Sequence, residues 1–303
     1  MNAKNISAVE CYLLALAPTG RRSMRSQLKQ VAILLGKHDI DEVTWHELEY
    51  QQLIYVRTYL LEAHKSISTV NTTLAAIRGV LQTAFKMNLI TAEHLARISQ
   101  IENVRGNAKN SGIALSLTDA RRLIRKVSKD TSVKGIRDSA ILMLMLTSGL
   151  RRSEVVCLTH GSFNFDGHRV NILSKGRKLR HHDISGITLK TLKKWAALCE
   201  FTDANAPFFT QVRGTASSKA LSAHAIYRIV KNRGKSIGID NLRPHDLRRT
   251  FVSLMLEQGS DLSTVSKAVG HASVTTTTRY DKRSGNAQIS AMRKLTDNLG
   301  RRL

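Results

Sequence analysis

Apolar residues in the first hundred positions recur three and four apart, and no stretch alternates, so this part of the chain reads as helical throughout. Ser7 to Ala17 reads as a first helix, closed by Pro18 and Gly20. Met24, Leu28, Val31, Ala32 and Leu35 mark the buried face of a second, which Gly36 ends. Thr44-Trp45-His46-Glu47 has the form of a capping box and is expected to open a third helix running to about Ala63. A fourth, Ser68 to Lys86, aligns Val70, Leu74, Ile77, Leu81 and Phe85, and Thr91 caps a short fifth through Ile98. Glu102 to Ser116 is polar and without a period, which marks a linker.

Beyond the linker the pattern changes twice. Ser116 or Thr118 caps a helix to about Lys129, and Arg137 to Thr147 is apolar almost all round, the mark of a buried core helix. It ends at Ser148-Gly149, and Leu150 to Glu154 opens the next helix. Residues 168–173 then alternate, Ser174 to Arg177 turn, and Lys178 to Ile184 return, which predicts a small antiparallel sheet. On that return strand the adjacent His181 and His182 face opposite sides. Helices resume over Thr188–Cys199 and from Ser222 to about Lys235. Pro244 starts another that Gly259 closes, and Leu262–Val269 forms a short one ended by Gly270. The predicted fold is mainly α in two domains, 1–103 and 116–285, with 104–115 between them. Residues 286–303 form a tail helix with Ile289, Met292, Leu295 and Leu299 on one face.

Charge narrows the partner. The 303 residues carry 47 Lys+Arg against 23 Asp+Glu, a net +24, which points to a polyanion and to nucleic acid first. Residues 1–103 hold 11 basic and 9 acidic side chains, so the excess belongs to the rest of the chain. In the nearly neutral first domain, Arg21, Arg25 and Lys29 are spaced four apart as a basic stripe, which suits either DNA contact or a solvated face. Cys11, Cys157 and Cys199 are odd in number and far apart, and are expected as buried, reduced thiols in a cytosolic protein. The longest strongly apolar run, Ala140 to Leu146, is too short to span a bilayer, and no secretory signal opens the chain.

The candidate chemistry is scattered over Arg151, Lys175, His245, Arg248, His271 and Tyr280. Forked guanidiniums clamp a phosphodiester, a histidine takes a proton, a tyrosine hydroxyl attacks, and a lysine protonates a departing sugar oxygen. No HExxH and no cysteine–histidine cluster occurs, so no metal and no cofactor is expected.

Thr147-Ser148-Gly149-Leu150-Arg151-Arg152-Ser153-Glu154 resembles the first arginine motif of the tyrosine recombinases, the phage integrase and Xer-like family. His245-Asp246-Leu247-Arg248 resembles its HxxR box, and Val269-Gly270-His271 with Tyr280 nine residues on resembles its last histidine and nucleophile. Lys175 sits where the family has its β-hairpin lysine, and the likeness spans residues 112–285. It implies a helical, SAM-like core-binding domain followed by a mostly helical catalytic domain with a small antiparallel sheet. It implies that Tyr280 forms a 3′-phosphotyrosine while Arg151 and Arg248 hold the phosphate and His271 bonds a non-bridging oxygen. His245 assists proton transfer, Lys175 is the acid, and Glu154 supports the fold around Arg151. The choice of Arg151 over Arg152, of Arg248 over Arg249 and of Lys175 over Lys178 rests on motif alignment.

The implied partners are double-stranded DNA at specific recombination sites, a homotetramer in the synaptic complex with the tail helix exchanged between subunits, and accessory proteins. The implied location is the cytoplasm, at the nucleoid. Two other readings use the same residues: a non-catalytic DNA-binding architectural or regulatory protein, and a type IB topoisomerase-like enzyme.

Overall fold

The computed structural model describes residues 6–106, 112–173, 179–184, 186–200 and 203–270. The chain is mostly helical and divides into two compact units, Met1–Asn110 and Ser111–Leu303.

In the first unit α1 (Ala8–Leu14), α2 (Pro18–Leu34), α3 (Tyr50–Glu62) and α5 (Ala92–Ser99) all pack on α4 (Ile67–Lys86). Val70, Leu74, Ile77 and Leu81 are fully buried along α4, interleaved with Ala76, Val80 and Ala84, so α4 is buried over a wide arc. Small residues let neighbours approach: the Tyr12 ring lies over Gly79, where a Cβ would come within 2.3 Å of it. Phe85, expected on the same face, is exposed near the end of the helix.

Local starts differ from the sequence reading in two places. Pro18 opens α2 from its first turn instead of only closing α1, because its fixed φ suits that position. Thr44–Glu47 makes a 3-10 turn over Trp45–Glu47 and not the start of α3; Thr44 makes no side-chain cap, and buried Trp45 donates Nε1–H to the Ile40 carbonyl at 2.7 Å. The working N-cap is Glu49, whose backbone N–H donates to Gln52 Oε1 at 2.7 Å. The cysteines also differ: all three are free, but Cys11 and Cys157 are exposed, because each points off the apolar face of its element. Burial pushes the Cys199 thiol up to about 11.

In the second unit α7 (Val133–Ser148) is the core helix, packed against α6 (Leu117–Ser128), α9 (Gly186–Ala196) and α11 (Pro244–Glu257). Strands β1 (Phe163–Asn164), β2 (Arg169–Leu173) and β3 (Leu179–Asp183) form an antiparallel sheet in that order, with Val170 opposite His182 and Ile172 opposite Arg180. A second antiparallel pair, β4 (Thr210–Arg213) and β5 (Thr215–Ala220), turns at Gly214 with φ +82°. Its polar, small side chains lack an alternating signal, and the sequence reading has no strand there. Helices α8 (Arg152–Val156), α10 (Ala223–Lys235) and α12 (Leu262–Val269) are the other α-helices among the described residues of this unit.

The otherwise apolar α7 carries one buried ionic hub. Asp138 Oδ1 accepts from Arg137 Nη2 at 2.8 Å, and Oδ2 accepts from Arg233 Nη2 at 2.8 Å. Arg137 Nη1 reaches on to the Thr210 carbonyl at 3.2 Å, so α7, α10 and β4 meet at one carboxylate. Removing one member of a buried pair leaves uncompensated charge. Asp138→Ala is expected to cost about 3–5 kcal/mol, read as a lower urea midpoint followed through Trp195 in a Trp45→Phe background.

Candidate active site

The core helix ends at Gly149, a left-handed C-cap with φ +61° whose N–H bonds the Met145 carbonyl at 3.0 Å. Only glycine fits, because the backbone conformation is strained for other residues and a Cβ would meet Phe251 at 2.5 Å. The chain then reverses through buried Leu150, and Arg151 becomes the N-cap residue of α8. Glu154, buried one turn on, binds Arg151 twice: Oε2 accepts the Arg151 backbone N–H at 2.8 Å and Oε1 accepts Nη1 at 2.9 Å. A carboxylate there also suits the positive end of α8.

Helix α11 supplies the next pair. His245 and Arg248, three apart, share one face of the helix and line a cleft of about 360 Å³ with Arg151, Arg152, Arg243 and Tyr227. Among the described residues no acidic side chain lines this cleft, so its electrostatics favour an anion. Arg248 is almost wholly buried; Nη1 donates to the Gly149 carbonyl at 2.8 Å and Nη2 to the Val269 carbonyl at 2.7 Å. Arg249 turns the other way, donating Nη1 to the Gly112 carbonyl at 3.1 Å. Geometry therefore separates two neighbouring arginines that sequence distinguishes only by motif alignment and by spacing from His245. Asp246 anchors the helix start, with Oδ2 accepting the Arg243 N–H at 2.9 Å and Oδ1 the Ile113 N–H at 3.1 Å.

A third arginine joins from β3. Alternation turns Arg180 and His182 inward and leaves His181 exposed. Arg180 Nη2 donates to Glu154 Oε1 at 3.0 Å and Nη1 to the Ala268 carbonyl at 2.6 Å. Arg151 Nη2 reaches the Gly270 carbonyl at 3.4 Å.

Burial, followed by the charges of Arg249 and Arg248, holds His245 below the ordinary imidazole range. His182 is lowered by burial and then by Arg180. Both rings are thus biased toward the neutral form, which can accept a proton.

Arg151, Glu154, His245 and Arg248 are brought together. Lys175, its neighbour Lys178, His271, Tyr280 and the tail 286–303 lie outside the described residues. In the other unit the basic stripe divides: Arg21 donates Nε–H to the Leu13 carbonyl at 2.8 Å and Nη2 to Leu14 at 3.0 Å, while Arg25 and Lys29 are exposed. Sequence does not single out Arg180 or Tyr227, and it offers Arg243 only as one of the arginines at the start of the helix that carries His245. The period-2 pattern that separates His181 from His182 also puts Arg180 with His182, and that signal was available. Among the described residues no group of three or more His, Cys, Asp or Glu is placed to hold a metal ion.

Residues 114–286 match the phage integrase family. The tyrosine recombinase XerC of Corynebacterium efficiens is 29% identical over 277 residues, covering 90% of this chain and 84% of that protein. The tyrosine recombinase XerC of Chlamydia trachomatis serovar L2 is 30% identical over 235 residues, covering 74% of this chain and 71% of that one. Among solved structures, a lambda integrase dimer bound to a COC′ core site superposes with a TM-score of 0.69 at 15% identity, covering 91% of this chain and 96% of that chain. The XerH site-specific recombinase bound to its difH substrate gives a TM-score of 0.63 at 17% identity, covering 90% and 76%. The family match extends over more than half of the sequence and contains every residue of the cleft: the chain belongs to the phage integrase family.

Proposed function

We propose that Tyr280 is the nucleophile with which this tyrosine recombinase breaks and rejoins DNA strands at specific sites. The observation that carries the reading is the cleft: Arg151, Arg248 and His245 converge on a space of about 360 Å³ with no acidic lining residue among the described ones. Two of those arginines also bond the carbonyls of Val269 and Gly270, after which the chain runs directly to His271 and, nine residues later, Tyr280.

The chemistry then divides among named groups. The Tyr280 oxygen attacks the scissile phosphorus, the bond to the 5′-oxygen breaks, and a 3′-phosphotyrosine forms. His245, biased neutral, takes the tyrosine proton, and Lys175 gives one to the departing 5′-oxygen. Arg151 and Arg248 take up the negative charge that grows on the non-bridging oxygens, with His271 bonding one of them. Glu154 keeps the Arg151 fork turned to its work. One phosphate ester replaces another, so a 5′-hydroxyl from a second strand reverses the step without an external energy source. Two duplexes with two strands each to cut call for four copies of the chain, and the tail 286–303 is our candidate for the segment that links them. Accessory proteins would set the direction of exchange. The exposed Arg25 and Lys29, more than the committed Arg21, suit backbone contacts from the first unit. No helix among the described residues is long and apolar enough to cross a membrane, and a substrate of genomic DNA puts the enzyme at the nucleoid in the cytoplasm.

A suicide substrate, which traps the covalent adduct, tests the assignment. Wild type is expected to form the adduct and Tyr280→Phe to form none, while Tyr227→Phe, at the tyrosine that lines the cleft, still does. Loss in Tyr227→Phe with survival in Tyr280→Phe would move the nucleophile to α10. Arg151→Ala should slow adduct formation by about 10²–10³-fold.

The lowered His245 pKa sets a pH dependence. The unfolded chain takes up the proton at about 6.5, the folded chain only below that. The stability contribution is therefore complete above about pH 6.5 and falls as pH drops toward the folded value. Adduct formation should share this acid limb, plateauing above about pH 6.5, and His245→Gln should be slower and lack the limb. An unchanged limb in that variant would remove His245 from the proton transfer. Deleting residues 286–303 should weaken synapsis more than single-site binding, measured by paired-site and single-site gel shifts; equal losses would argue for a tail that only supports its own subunit.

A further inference from the structure

Three guanidiniums hold three successive carbonyls at the end of α12. Arg180 Nη1 donates to Ala268 at 2.6 Å, Arg248 Nη2 to Val269 at 2.7 Å, and Arg151 Nη2 to Gly270 at 3.4 Å. The last carbonyls of a helix lack intrahelical partners and form the negative end of its dipole, so cations are favoured there. Two of the three arginines line the cleft, but Arg180 does not. Its second nitrogen donates to Glu154 Oε1, the same oxygen that accepts Arg151 Nη1. Its side chain is 12% exposed, so these bonds are shielded from water and set in one geometry. Gly270 fits this arrangement on two counts: its φ is +64°, and a Cβ would stand 3.0 Å from the Arg180 guanidinium.

We propose that Arg180 is a positioning residue for strand cleavage. Through Glu154 it fixes the orientation of the Arg151 fork, and through Ala268 it fixes where the chain leaves α12 toward His271 and Tyr280. Because Arg180 lies on β3, it also ties the strand that follows Lys175 to the same point. One side chain thus keeps in register the segments that carry the phosphate clamp, the acid and the nucleophile. The inference rests on the reading of Tyr280 and Lys175 given above. A displacement on the order of 1 Å among such groups costs about 100-fold in rate.

The test compares Arg180→Met, Arg180→Lys and Glu154→Gln with wild type for thermal stability, single-site DNA binding and adduct formation. The suicide substrate carries either a normal phosphate or a neutral methylphosphonate at the scissile position. Arg180→Met is expected to bind DNA like wild type but to form the adduct about 100-fold more slowly, with Arg180→Lys in between. Methylphosphonate should restore Arg180→Met less than it restores Arg151→Ala, since only the part of the Arg180 loss that runs through the Arg151 fork meets the charge on phosphate. The double variant Arg180→Met/Glu154→Gln should be little slower than Arg180→Met alone, because both act through one carboxylate. If Arg180→Met does not fold, Arg180→Lys carries the comparison with a smaller loss. Wild-type cleavage in the Arg180 variants, rescue by methylphosphonate as large as that of Arg151→Ala, or DNA binding that falls in step with cleavage would each overturn the proposal. Tyr280→Phe is run alongside: normal Arg180 variants beside an inert Tyr280→Phe would sink this inference and leave the nucleophile standing.

Discussion

A buried carboxylate is tolerable only when its lone pairs are filled, and Glu154 fills them with the site itself. It takes the backbone N–H of Arg151, the guanidinium of Arg151 and the guanidinium of Arg180. At 5% exposure it has little water to fall back on, so each donor is held to a fixed place. The α8 start, the β3 strand and the exit of α12 are consequently positioned by one another. Packing delivers them to the spot: α7, covered by α6, α9 and α11, ends at Gly149, and the turn there sends Arg151 to Glu154.

The two units solve their cores differently. In the first, α4 gathers its neighbours with aliphatic side chains and small residues, and its one buried polar group on that helix, Thr73, bonds Gln27 and the Thr69 carbonyl. In the second, α7 adds charge to the same plan. Asp138 holds Arg137 and Arg233 beneath the helix, and Trp195 donates Nε1–H to the Phe208 carbonyl at 2.8 Å, so polar bonds fix directions that apolar contact leaves loose.

What sequence makes legible here is periodicity and chain direction. The core faces of α2, α4 and α7 follow from apolar spacing, and the pairing of His245 with Arg248 on one face follows from a separation of three. Features decided by distant partners are not legible. Thr44–Glu47 has the residues of a capping box, but Trp45 is drawn into the core and the helix waits for Glu49. Arg21 reads as a DNA contact by charge alone, yet its guanidinium closes the end of α1. Arg248 and Arg249 differ only in which way the helix faces, and Arg180 is a single arginine in a strand until Glu154 and Ala268 arrive from 26 and 88 residues away. Strands β4 and β5 depend on pairing that their own polar residues do not announce.

The carbonyls at the end of α12 have one more consequence. Guanidiniums gathered at one point repel one another, and a cluster of this kind without a counter-charge would tend to splay or to trap a stray anion. Here the helix terminus stands in for that anion. Its dipole and the charge of Glu154 occupy one edge of Arg151 and leave other N–H groups of a fork that has five. The cations are therefore assembled during folding, with their mutual repulsion already offset by the helix end and Glu154.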